Sequence, residues 1–387
     1  MAESDKSNTT QVFHFDLYGK REEKYNFLNQ QSIGTIPWTE LKGKEPYYFF
    51  VEKDFDLVEL YEAGFKLDEL FIKFSNGITT ERDSITLHFD EKSLKAVIHD
   101  LIEFEVDNFR TKYNERPDGR DWTILTAKND LVNNKLNFVK ILYRPFDYRV
   151  SCYTGKTKGF YAFPRPEIMD NFLIGSNIGL IVPKQTKETL GGFISKNIAG
   201  HKSFSAYDKS TVFLLYFTTD HTSLEFTNSL RTPNLNKVIV GHLSEMLNLK
   251  FTNEKEQTPS TFAPIDILDY IYAVLHSPTY REKYKEFLKI DFPRVPYPKD
   301  QETFWNLVSF GGELRQIHLL ESPKVNQFIS TYPMTGNNII TKLRFESSES
   351  EQQQQIHKST HQHIFKLSNF QIFKSIRQSM DQRSAIL

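Results

Sequence analysis

The stretch from 141 to 169, ILYRPFDYRVSCYTGKTKGFYAFPRPEIM, limits the fold more than any other. Pro145, Pro164 and Pro166, with Gly155 and Gly159, exclude a long helix and leave short strands joined by exposed loops. Within it the cations Arg144, Arg149, Lys156, Lys158 and Arg165 are interleaved with Tyr143, Phe146, Tyr148, Tyr153, Phe160, Tyr161 and Phe163. Cations on glycine-bearing loops, beside rings that can stack, suit a polyanion with flat bases. The same residues also suit a solvated loop over an aromatic core, and composition alone leaves both readings open.

The rest of the chain supplies ample core. Of 387 residues, 39% are hydrophobic and 14% aromatic, enough for about two or three domains. The net charge of -1 hides an uneven distribution. Residues 1–110 hold 22 acids against 13 bases, whereas residues 140–209 hold 11 bases against 5 acids. An acidic front and a basic middle suit a protein of which one face meets phosphate. Cys152 is the single cysteine, which excludes a disulfide within the chain and a cysteine-based zinc site. No apolar run reaches bilayer length, and MAESDKSNTT lacks a basic-then-apolar leader pattern. A soluble cytoplasmic protein without a membrane partner is the expectation.

Five regions follow from pattern and composition. Residues 1–11 are polar and expected to be disordered. Residues 12–139 read as an acidic α/β region, with strands at 12–18, 47–51 and 84–90, helical stretches after Gly19 and at 56–63, and a loop at 75–83. An amphipathic helix at 91–104 carries Leu94, Val97, Ile98, Leu101 and Ile102. KYNERPDGRDW (112–122) is a turn-rich connector. Residues 140–258 read as basic and β-rich, with strands at 178–182, 192–198, 211–217 and 238–240 joined by PKQTKETLG and AGHKSFSAYDK. Residues 251–261 read as a polar linker. Residues 259–345 are helical, opening at Pro264 with Ile267, Leu268, Ile271, Val274 and Leu275 on one side. Ser277-Pro278 breaks that helix, and a second carries Tyr280, Tyr284, Phe287 and Leu288. PRVPYP forces an extended segment, and a third helix spans about 303–320 with Gly311-Gly312 as a possible kink. Residues 346–387 begin with ESSESEQQQQIHKSTHQH, a low-complexity tail expected to be disordered. Helices after strands indicate an α+β chain rather than a doubly wound sheet.

Motifs for catalysis are missing. There is no Walker loop, no GxGxxG and no GxSxG elbow. His357, His361 and His363 have loosely metal-like spacing, but a glutamine-rich tail offers no rigid surround. Glu103, Glu105 and Asp107 read as a solvated helix end rather than a metal cluster, and Asp118 and Asp121 as turn residues. Arg82 and Asp83 read as a pair that holds its own loop together, with a contact to DNA or a partner domain as the lesser reading. Neither catalytic nor metal-binding residues are assigned.

Several separated stretches share one resemblance. They are FHFDLYGKREEKYNFL (13–28), EPYYFFVEKDF (45–55), NGITTERDSI (76–85), ILYRPFDYR (141–149) and RPEIM (165–169). DILDYIYAVLHSPTYREKYKEFLKIDFPRVPYP (266–298) and FWNLVSFGGELRQIHLLE (304–321) follow. In this order they resemble the C-terminal specificity region of single-chain restriction-modification enzymes, the type ISP and related type IIG adenine-specific DNA methyltransferases. The resemblance covers about 12–344 and is most specific at 266–298. It implies that 140–258 is a mixed-strand target-recognition domain, with 12–139 coupling it to a methyltransferase. It also implies that nuclease and adenine-N6 methyltransferase parts, with their S-adenosylmethionine and Mg, lie elsewhere. The chain has no cofactor of its own on this reading. It lacks the methyltransferase tetrapeptide of Asn, Asp or Ser followed by Pro-Pro and an aromatic, which holds a flipped adenine. After YPMTGNNIITKLRF (332–345) it departs from the family's tryptophan-bearing end, as a frameshifted or truncated gene would.

The resemblance implies recognition of double-stranded DNA. Arg144, Arg149, Lys156, Lys158, Arg165, Lys184, Lys196 and Lys202 are the candidate contacts to phosphates or base edges. Gln185 and His201 are the polar candidates for base readout. A structural turn pairing Arg144 with Asp147 is the competing reading of RPFD. The alternative function is a protein-interaction fragment that docks through its acidic front, especially the 91–104 helix, and completes a separately encoded methyltransferase. A complete enzyme with an unrecognised active site is a third reading.

Overall fold

A computed structural model describes residues 11–43, 45, 48–52, 57–174, 176–185, 191–205, 207–218 and 231–327. The chain divides into two compact units, residues 1–60 and 61–387. In the first, strands Val12–His14 and Thr39–Leu41 pair antiparallel, and helix Arg21–Gln30 lies between them in sequence. Phe15 stacks on Phe27 with ring centroids 5.6 Å apart, and Trp38 meets Phe15 edge-on. The expected strand at 47–51 is not formed. Tyr47 lies outside the described residues, and Tyr48 takes φ 42°, which extended backbone cannot include.

The second unit contains two sheets that share one core. An antiparallel four-stranded sheet runs Phe74–Asn76, Ser210–Leu214, Gly179–Pro183, Phe193–Ser195. A three-stranded sheet has the long hairpin Asn137–Arg144 and Asp147–Tyr153, with Ile198–Ala199 parallel to its first strand. The turn of the hairpin passes through Phe146 at φ 64°. Helices Glu91–Glu103 and Ile124–Asn133 pack around the hairpin, and Leu94, Leu101, Trp122, Leu131, Ile141 and Tyr153 share its core. Asp90 caps the first helix by accepting from Ser93 N at 2.8 Å, and the amphipathic stripe expected there packs into the unit's own core. Burial, with Asp130 nearby, pushes the Cys152 thiol up to about 12.

Helix Pro264–His276 is enclosed on every side. Besides the expected apolar stripe, it buries Asp266, Asp269, Tyr270 and Tyr272. Helix Gln301–His318 packs along it and runs unbroken through Gly311-Gly312. Gly311 is there for close approach, because a Cβ on it would overlap the Asp269 carbonyl oxygen. Arg315 Nε and Nη2 donate to the Asp269 carboxylate at 2.6 and 3.0 Å across this contact. Beyond Ser277, helices Pro278–Lys283 and Lys285–Leu288 lead to the extended prolines, where Arg294–Val295 pairs with Phe65–Lys66.

Several local expectations are corrected. The 84–90 run is not a strand: Asp83–Thr86 is helical, and Asp90 is already the next cap. Only His88 exchanges backbone bonds, with Val150. The supposed strand at 238–240 lies in helix Lys237–Leu247. Asn236 caps it, and Val240, Leu243 and Leu247 recur at helical spacing, which outweighs the β-branched run. The 251–261 linker begins and ends in the parallel pair Lys250–Phe251 and Thr261–Phe262. The 192–198 and 211–217 strands each split, at Lys196-Asn197 and at Leu215. The tail at 346–387 lies outside the described residues. Among those described, no helix is long and apolar enough to cross a membrane. The architecture is α+β, with small sheets and helical flanks.

Candidate nucleic-acid interface

Segment 75–80 is the spine of the site. Gly77 N donates to Ser210 O at 3.0 Å, Ile78 N to Ala199 O at 2.9 Å and His201 N to Ile78 O at 2.9 Å. Thr79 exchanges backbone bonds with Phe163 at 2.9 and 3.0 Å. These bonds bring together three segments that are distant in sequence, 75–80, the end of the 154–163 loop and 199–210, with an open cleft at either end of 75–80.

The larger cleft, about 770 Å³, is lined among others by Asn76, Arg165, Lys184, Gln185, Lys209 and Thr211. Arg165 sits at φ 58°, just before the short helix Pro166–Met169, with its guanidinium 5.1 Å from the Phe163 ring. Its Nε is buried without a hydrogen-bond partner among the described residues. Lys184 is 3.5 Å from Asp291 and lies over Phe292 at 5.7 Å. Gln185 Nε2 donates to Ile290 O at 3.0 Å, and among the described residues Oε1 and the second N–H have no partner. Asn76 Oδ1 accepts from Thr211 at 3.4 Å, and its amide N–H groups have no partner among the described residues. Asp68, Glu167 and Asp208 also line the cleft, so its three cations are matched by three acids. Net charge therefore does not single it out, and the useful distinction is which cations are already paired.

The smaller cleft, about 590 Å³, is lined among others by Thr79, Thr80, Arg82, Asp83, Arg116 and His201. Arg82 is buried and serves the fold. It lies 3.1 Å from Glu115, donates to Pro117 O at 2.8 Å and covers Trp122 at 4.9 Å, so it ties 79–84 to 115–122. Burial lowers its pKa. His201 Nδ1 is 3.1 Å from Ile78 O. Burial, only partly offset by that bond, lowers the imidazole pKa. The neutral ring donates from Nδ1 to the carbonyl, which leaves Nε2 as an acceptor.

Along the hairpin, Arg149 is held bidentately by Asp147 at 2.8 and 2.9 Å and lies 3.6 Å over the Phe89 ring. Asp147 thus pairs with Arg149 rather than with Arg144. Arg144 donates to Tyr143 O at 2.7 Å and Lys202 O at 3.2 Å. Lys158 is 3.2 Å from Asp121, and Lys196 is paired with Glu321. Lys156 is exposed on the loop after the hairpin.

The ten candidates therefore form three groups and a remainder. Arg165, Lys184 and Gln185 share the larger cleft. Arg144, Arg149, His201 and Lys202 surround the hairpin turn and smaller cleft, while Lys156 and Lys158 share a loop. Lys196 lines neither cleft. Among the described residues Arg144, Lys156, Arg165 and Lys209 have no carboxylate partner, whereas Arg149, Lys158, Lys184 and Lys196 do. Lys209, Asn76 and Thr211 were missed as single residues, although the basic AGHKSFSAYDK loop and the polar SNGITT loop marked where they lie. Glu103, Glu105 and Asp107 are exposed, and among the described residues no three His, Cys, Asp or Glu side chains gather as a metal site needs.

No curated protein matches the chain. Its fold is similar to that in the cryo-EM structure of a DrdV–DNA complex, with a TM-score of 0.58 at 19% identity, covering 80% of this chain and 31% of that one. It is similar to the ATP-dependent Type ISP restriction-modification enzyme LlaBIII bound to DNA, at TM-score 0.54 and 17% identity over 73% of this chain and 18% of that one. It is also similar to a nuclease-deletion mutant of the Type ISP enzyme LlaGI in complex with a DNA substrate mimic, at TM-score 0.55 and 19% identity over 81% and 24%. The chain thus spans less than a third of each of these proteins, and the likeness is one of fold. The family model of the Type ISP C-terminal specificity domain matches residues 69–370, which takes in the four-stranded and three-stranded sheets, the smaller cleft, all of the larger cleft's lining but Asp68, and the buried helix pair. This chain belongs to the Type ISP C-terminal specificity domain family.

Proposed function

We propose that the chain recognises a target sequence in double-stranded DNA as the specificity part of a restriction-modification enzyme. The observation that carries this reading is a coincidence within the family match: Arg165 and Lys209, cations without carboxylate partners among the described residues, share the larger cleft at one end of segment 75–80 with Asn76 and Gln185, amides with unused capacity. Arg144, Lys156, Arg165 and Lys209 bind phosphates and set the register of the duplex. Asn76 and Gln185 each keep both amide donor and acceptor capacity, the combination that reads adenine through N6 and N7. His201 Nε2 accepts from an exocyclic amino group. Arg149, Lys158, Lys184 and Lys196 exchange an existing carboxylate for phosphate, at a smaller gain.

Adenine-N6 methylation, as in the family that the sequence resembles, is carried out by a methyltransferase domain or subunit outside this chain. That part, with any nuclease, holds the S-adenosylmethionine and the Mg, and the assembly works in the cytoplasm. The test is selection of a duplex library with a randomised core by the purified full chain, followed by sequencing of the retained fraction. An enriched motif is the expected result. Retention without a motif sinks autonomous target reading, and no retention at low salt sinks DNA recognition by this chain.

A further inference from the structure

Asp130 is an acid in an unexpected place. It lies on the inner face of helix Ile124–Asn133, only 3% exposed, and among the described residues all its hydrogen-bond partners are neutral. Oδ2 accepts from Phe160 N and from the Thr154 hydroxyl, both at 2.7 Å, and Oδ1 accepts from Asn134 Nδ2 at 2.9 Å. The two donors on Oδ2 stand at either end of 154–160, so one carboxylate oxygen closes that loop. Gly159 leaves room for it, since a Cβ there would overlap Oδ2.

Other bonds hold the same loop from below. Trp122 Nε1 donates to Phe160 O at 3.1 Å, and Phe160 and Tyr161 are buried. Lys158 N donates to Ala162 O at 3.0 Å with Lys158 itself at φ 56°. The rings of Phe160 and Tyr161 are thus turned into the core, while Lys156 and Lys158 stay exposed at the tip of the loop. A flexible loop that bore two lysines would lose ordering entropy on meeting phosphate, and a closed one does not.

We propose that Asp130 is the positioning residue of a DNA-contacting loop, 154–163, which it holds in its binding geometry through Thr154 and Phe160. The inference rests on the reading of this face as a DNA interface. Asp130 itself touches no DNA and acts through Lys156 and Lys158. An asparagine replaces it only at a loss. To keep an oxygen on Phe160 N and Thr154, the substituted amide would have to turn its NH2 group against the Asn134 amide, which is also a donor. A compensating flip of the Asn134 amide would give up the bond from Asn134 Nδ2 to the residue 130 carbonyl oxygen.

Two measurements on the full chain test this. In the free protein, Asp130→Asn and Thr154→Val should each speed amide hydrogen exchange within 154–163 by about tenfold, the size of one lost hydrogen bond. Exchange in Pro264–His276 should stay unchanged. On duplex DNA of random sequence, Asp130→Asn should weaken binding, and should cost nothing further in a Lys156→Ala/Lys158→Ala background. A merely structural role would make the losses additive. Unchanged exchange in 154–163, or additive losses on DNA, overturns the role of Asp130. A wild-type chain that binds no duplex overturns the DNA reading itself, and this proposal with it.

Discussion

The helix pair at 264–276 and 301–318 and the face built on 75–80 treat charge in opposite ways. In the pair, Asp269 and Arg315 are both largely buried and satisfy each other with two hydrogen bonds. On the face, Arg165 and Lys209 have no carboxylate among the described residues, and neither have Arg144 at the hairpin turn or Lys156 on the loop after it. A buried ion pair is costly to break and contributes little to binding another molecule. An exposed unpaired cation contributes little to stability and is free to meet phosphate. Arginine and lysine residues of one chain are thereby divided between folding and recognition, by their neighbours rather than by their type.

The largest effect should come from the buried pair. Arg315→Ala strands the Asp269 carboxylate, at a cost of roughly 3–5 kcal/mol. Thermal or urea unfolding should show it as a large drop in midpoint, and a neutral result would remove the contrast. The next effect concerns His318, which stacks on Phe193 and pairs with Tyr272 in the same region. Burial first, and then His276, push its pKa well below the ordinary value. The unfolded chain therefore binds a proton that the folded chain rejects. Stability is complete above the unfolded pKa of about 6.5 and falls as pH drops below it, by up to about 1.4 kcal/mol per pH unit. Urea midpoints at pH 7.5 and 5.5 should differ in that direction, and His318→Gln should flatten the difference.

Effects on the other side of the comparison belong to binding. Lys156→Ala, Arg165→Gln and Lys209→Ala should each reduce the salt slope of DNA affinity by about 0.9, with unfolding changed by less than about 0.5 kcal/mol. Lys184→Ala and Lys158→Ala should do less, because Asp291 and Asp121 already hold those ammonium groups. Lys196→Ala, paired with Glu321, should do least. An equal loss for paired and unpaired cations would show that the ion pairs do not matter here.

This division also marks what was legible in the sequence. The basic loops were visible as local composition, and the helices with strong caps or prolines, 91–103 and 264–276, were visible as pattern. Which cations are spoken for was not visible, because their acids come from far along the chain: Asp291 for Lys184, Glu321 for Lys196, Asp121 for Lys158. The same holds for Asn76 and Thr211, made neighbours only by strand pairing, and for Asp130, an unremarkable acid until its helix is turned inward. The 237–247 helix was misread because a Val-Ile-Val run outvoted a single capping Asn236. Long-range pairing and burial, not residue type, decided each of these.

The most direct test of the account is the slope of log affinity against log salt for duplex DNA, measured by fluorescence anisotropy. The wild-type chain is compared with a combined Arg144→Gln, Lys156→Ala, Arg165→Gln, Lys209→Ala variant. Four neutralised phosphates predict a wild-type slope steeper than the variant's by about 3.6, worth a roughly 150-fold greater loss from 50 to 200 mM salt, with only the smaller slope of the paired cations left in the variant. Salt-independent binding by the wild-type chain, or the same slope in the folded variant, would contradict it.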